Sequence, residues 1–152
     1  MSKKPKQKVS KNQRVKSITK PVDPTNSMCP VWGFEMIDRD GKFAFDLTRN
    51  DLNPKFLLDK LIGYSSMTWQ EITRHTHDGG KSKHHRLEDL DRLSKAARER
   101  IERKNLSLEL DALFSFALDN VKRLIGIRQG AVFQVIWYDA NHEFAPSEKK
   151  HT

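Results

Sequence analysis

The chain has one cysteine, Cys29, in 152 residues. No internal disulfide can form, and a reducing, cytoplasmic setting is the expectation. No apolar run approaches the roughly 18 residues of a membrane helix, so no membrane partner is expected. The N-terminus is charged and lacks an apolar h-region, which argues against a secretory signal. Residues 1–20 contain no acid at all.

That last absence organises the charge. Lys3, Lys4, Lys6, Lys8, Lys11, Arg14, Lys16 and Lys20 are eight of the 28 basic residues, and the other 20 equal the 20 acids. The whole excess of +8 therefore sits on an N-terminal arm, and the body is formally neutral. Such an arm suits a polyanion and would make binding salt-sensitive; a solvated, disordered tail is the alternative reading. Lys149 and Lys150 make a second basic end. The organisation expected is an arm and linker over 1–29, one domain over 30–145 and a short basic tail over 146–152.

Within the domain, "WGFEMIDRDGKFAFDLT" carries Asp40-Gly41, a turn pair between alternating apolar residues. It predicts a hairpin with Phe34, Met36, Phe43, Phe45 and Leu47 on one face. Asn53 before Pro54 opens a helix, with Phe56, Leu57, Leu61 and Tyr64 on its apolar stripe. Thr68 and Glu71 have capping-box spacing for a second helix. Ser94 caps a third, which buries Ala97 and Ile101 and stops near Asn105. From residue 107 the period is that of strands, with two-residue turns expected at Asp119-Asn120 and Gln129-Gly130. The class is α+β: an antiparallel sheet, made of the N-terminal hairpin and a C-terminal meander, with helices packed on one face.

Three places carry candidate chemistry. His75, His77, His84 and His85 flank a glycine-tipped loop. They could ligate zinc, although the spacing fits no established module, or His84 or His85 could transfer protons. No cofactor is expected. On the sheet, Lys122 and Arg128 would lie on the open face near Trp137, where cations beside an indole can hold phosphates and stack a base. An ordinary wet sheet face is the other reading. Last, Tyr138, Asp139 and His142 follow the final strand. A phenol, an imidazole and an arginine brought together there can move protons and stabilise a charged phosphorane; otherwise the cluster is a turn.

The residues Ser115, Arg123, Gly126, Arg128, Trp137, Asp139 and His142 resemble the C-terminal motif of small bacterial mobile-element proteins, which runs S-x-R-L, R-x-x-G-x-R, a strand, then W-x-D-P-x-H and a basic end. Ala117 stands where that pattern has a first arginine, and Ala140 where it has proline. The helix-then-meander ending is also similar to the RelE/HigB/YoeB toxin superfamily. That resemblance implies a RelE-like fold and a metal-independent endoribonuclease acting on mRNA at the ribosome, with an antitoxin partner. It implies Arg123 or Arg128 as the transition-state cation, His142 as acid or base, and Tyr138 as a stacking or proton-donating group. A non-catalytic module that binds nucleic acid or protein through the basic arm is the competing expectation.

Overall fold

The computed structural model describes residues 23–76 and 80–147. The basic arm from Lys3 to Lys20, His77, Lys149 and Lys150 lie outside them.

The three helices start where their caps require. In α1 (Pro54–Ser65) the Asn53 side chain accepts from Phe56 N, with proline at the first turn. In α2 (Trp69–Arg74) Thr68 and Glu71 form a reciprocal capping box. In α3 (Lys95–Arg103) Ser94 accepts from Ala97 N at 3.1 Å. Asn105 sits at φ 55°, the left-handed conformation that ends a helix.

Five strands form one sheet: β1 (Val31–Gly33), β2 (His85–Arg86), β3 (Leu113–Ala117), β4 (Arg123–Gln129) and β5 (Val132–Asp139). Their order is β1-β5-β4-β3-β2. β1 runs parallel to β5, and every other pair is antiparallel. The fold is α+β, but the sheet is mixed.

The expected N-terminal hairpin does not form. Gly41 does turn the chain, at φ 84°, yet the flanking residues serve two cores. Phe43 packs on one face of the sheet and Phe45 on the other, while Phe34 and Leu47 are exposed. Segment 38–45 instead extends the edge of β5: Asp38 N donates to Ile136 O and Tyr138 N to Phe43 O. Its anchor is Asp38, which is 1% exposed and accepts two hydrogen bonds from Arg100 of α3 (2.5 and 2.7 Å) and one from the Trp137 indole (2.8 Å). This tertiary demand overrides the local turn signal.

Helices cover both faces, not one. α1 and α2 pack Leu57, Leu61, Tyr64, Trp69 and Ile72 against Phe116, Leu124, Phe133 and Tyr138. On the other side α3 packs Ala97 and Ile101 against Ile125, Ile127 and Trp137. All five residues of β3 are buried, as two-sided cover requires.

The meander register also differs. β3 and β4 are joined by 118–122, closed by Leu118 N to Lys122 O, so Ala117 pairs with Arg123. The longer loop moves Phe114 and Phe116 to the face opposite Arg123. The β4–β5 turn is Gly130-Ala131, with Gln129 opposite Val132. A bulge then sets Gly126 opposite Val135 but Ile125 opposite Trp137, which leaves Ile136 as the extra residue. Past the bulge, Trp137 and Asp139 share the Arg123 face, and Tyr138 turns to the other.

Candidate functional site

The four residues singled out for catalysis separate into two groups. Tyr138 is fully buried beside Leu124, and its hydroxyl donates to Asp51 O at 2.7 Å. Burial, with the nearby Asp51 charge, pushes its pKa up to about 12. The phenol is committed to the fold and faces away from Arg123.

Arg128 is also on that face. Its guanidinium lies 4.1 Å from the Trp69 ring centroid, and it donates to Gly130 O (3.0 Å) and Asn26 Oδ1 (2.8 Å). It therefore ties the β4–β5 turn to α2 and to the segment entering β1. Nor is it beside Trp137, as the sheet faces had suggested; the indole it meets is that of Trp69. Lys122 is held near Asp119 Oδ2 at 3.3 Å and stands over the Phe56 ring.

Arg123 and His142 are brought together. Both line a cleft of about 780 Å3 between the edge strand β2 with its preceding loop and the segment 142–147. Arg123 is 7% exposed. It donates to Asp119 O (2.8 Å), Lys122 O (3.0 Å) and Asn120 O (3.4 Å), which holds the 118–122 loop shut. Burial pushes its pKa below the ordinary arginine value, while Asp119 and Asp139 act to hold the charge. A guanidinium stays protonated under such opposing pulls.

His142 is positioned by Asp139. The Asp139 carboxylate accepts from Glu143 N (3.0 Å) and Phe144 N (2.8 Å), closing a turn in which His142 takes φ 56°. Phe144, fully buried between Phe43 and Trp137, anchors the turn from below. The Asp is the brace and the His the residue it presents; Ser147 Oγ lies 3.4 Å from His142 Nδ1.

The cleft also contains His85, paired with Ser115 on the sheet face shared by Ala117 and Arg123. Five Lys and Arg side chains line it, Lys81, Lys83, Arg86, Arg92 and Arg123, against the two acids Glu88 and Asp89. Asp89 is partly neutralised by Arg92 at 3.4 Å. The electrostatic character is cationic, which suits phosphate.

Its neighbour His84 belongs to the core. His84 is 1% exposed and edge-on to Tyr64. Its Nδ1 accepts from Ala117 N at 3.0 Å, so that nitrogen carries no proton. Nε2 then carries it and donates to His75 Nδ1, 3.2 Å away. A protonated Nε2 with Nδ1 as acceptor leaves His84 no lone pair for a metal. Among the described residues no three His, Cys, Asp or Glu stand together as a metal-ligand group. His84, just before β2, thus lies in the core, and His85, the first residue of β2, lines the cleft.

Compared with protein-family models, with curated proteins and with solved structures, the chain matches none. The functional reading rests on the site itself. Several residues of the R-x-x-G-x-R…W-x-D pattern have structural work here: Gly126 in the bulge, Arg128 on Trp69, Trp137 on Asp38 and Asp139 under the turn. Arg123, although largely buried and bonded to the 118–122 loop, lines the cationic cleft together with His142.

Proposed function

We propose that the cationic cleft binds the sugar–phosphate backbone of single-stranded RNA and cleaves it, as a RelE-like toxin would. The observation that carries this reading is the convergence of Arg123, His142 and His85 in one cleft. Attack of a ribose 2′-oxygen on the adjacent phosphorus, with departure of the 5′-oxygen, needs one group to accept a proton and another to donate one. Two imidazoles, one neutral and one charged, meet that need near neutral pH. The Arg123 guanidinium offers its remaining N–H groups to the phosphorane oxygens. Neither step calls for Tyr138 or Arg128. The reading further implies growth arrest on expression, a neutralising partner protein and RNA at the ribosome as target.

The assay is cleavage of an end-labelled single-stranded RNA. His142→Asn, which keeps a side chain tolerant of the left-handed backbone, and His85→Gln are each expected to slow cleavage by roughly 100-fold or more. Tyr138→Phe is expected to stay within about threefold, since the phenol is a structural donor. The rate should follow a bell-shaped pH profile that loses one limb in each histidine variant. Undiminished cleavage by a double His85→Gln, His142→Asn variant would overturn the assignment.

A second reading keeps the cleft and drops the chemistry. It is favoured by the three carbonyls already held by Arg123. In that case the RNA is retained intact, and binding weakens with salt in proportion to the phosphates contacted.

A further inference from the structure

We infer that a second cleft, across the ridge that carries Arg123 and His142, is a subsite for an unpaired nucleobase. The inference rests on the reading of the cationic cleft as an RNA site. This second cleft is about 770 Å3, within the size range of small-ligand sites. At two places the clefts are lined by residues adjacent in sequence. Lys122 lines the second and Arg123 the first; Asn141 lines the second and His142 the first. A strand crossing the ridge would keep a phosphate against Arg123 and His142 while a neighbouring base enters the second cleft.

The lining suits a base. Asn50, Asn120 and Asn141 are exposed there, and each amide presents a donor and an acceptor side by side. Unstacked bases are recognised through such pairs on their edges. Phe56 supplies an aromatic surface, half-buried at the head of α1. The ammonium groups of Lys60 and Lys122 each stand over its ring, 5.6 Å from the centroid, so an aromatic base stacking on Phe56 would take the place of one of them and release that cation to follow its phosphate. The two carboxylates of the lining are already occupied. Asp51 accepts two hydrogen bonds from Arg49, and Asp119 accepts from the backbone of Val121 and Lys122. The remaining wall is amide, ring and ammonium, with the small apolar surfaces of Val121 and Ala140.

The test uses the full chain and 2′-O-methyl pentanucleotides, which lack the attacking hydroxyl and so stay intact. Affinity is measured for the intact oligonucleotide, for its counterpart with an abasic central position, and for inorganic polyphosphate at low salt. The parent protein is expected to prefer the intact strand by roughly tenfold or more, the range of one stacked base. An Asn120→Ser, Asn141→Ser double variant is expected to lose that preference and keep its affinity for polyphosphate. If the parent shows no preference, or if the double variant retains it, the subsite is overturned while the cationic cleft stands. If the parent binds no polyphosphate, the cleft reading fails and the subsite falls with it.

Discussion

Asp38→Ala lowers the free energy of unfolding by about 3 to 5 kcal/mol, the expected loss when one partner of a buried ion pair is removed. The carboxylate holds Arg100 through two charged hydrogen bonds, the Trp137 indole through a third and Asp40 N through a fourth. Alanine leaves the indole N–H and the largely buried guanidinium without that acceptor, and detaches segment 38–45 from α3. The measurement is the urea midpoint, with Asp59→Ala as control. The Lys55–Asp59 pair is exposed at both ends, so its loss should cost no more than about 0.5 kcal/mol. A change at Asp38 as small as the control's would mean that water replaces the carboxylate.

The same residue sets an acid limit. Burial alone would raise the Asp38 pKa, but the bonds from Arg100, Trp137 and Asp40 prevail and bring it from 3.8 down to about 2. A depressed folded-state value contributes stability at pH above 3.8 and loses it as pH falls through 2. The drop corresponds to about 2 kcal/mol. Stability measured in that window should fall in the parent and fall less in Asp38→Ala.

Gly126→Ala is the second large effect. A Cβ at Gly126 would overlap the Gln134 carbonyl oxygen and press on the Phe133 ring. Gly126 lies at the bulge of a central strand paired on both sides, so neither neighbour can withdraw without breaking a ladder. The expected cost is about 3 kcal/mol or more, at or above the usual range for overpacking. Gly63→Ala supplies the contrast. It lies in α1 with nothing within 4 Å of the added methyl, and should stabilise by about 0.5 to 1 kcal/mol. If both substitutions prove equally mild, the bulge geometry is wrong.

Much of this was readable from short-range chemistry. Asn53-Pro54, the Thr68–Glu71 box and Ser94 are local signals, and each opens its helix. The failures are all non-local. Asp40-Gly41 does mark a turn, but a turn pair cannot reveal that Asp38 will be claimed by Arg100, 62 residues away. The two-sided burial does have a signal in the sequence: "LFSFA" and "VIWYD" are nearly continuous apolar runs, with little of the alternation that one wet face produces. The bulge at Ile136 had almost none. It reverses Trp137 and Tyr138, and so it separates the phenol from the arginine that the sequence placed beside it. Of the candidate site, Arg123 and His142 could be named in advance. His85 could be separated from His84 only once β2 was known to be a strand.

The pairing of β1 with β5 has a consequence for how the chain folds. Val31 meets Val132, and Asp38 meets Trp137 across 99 residues. β5 stands between β1 and β4, so the sheet cannot be completed until nearly the whole sequence is in place. Closing such long loops precedes the contacts that reward it, which slows folding relative to small domains built from local contacts. During synthesis, β1 and the Asp38 segment must wait on the ribosome until a partner some hundred residues downstream emerges. Over that interval Trp32 and Phe43 are held in solution without their cores, as surfaces that a chaperone or a premature partner can grasp.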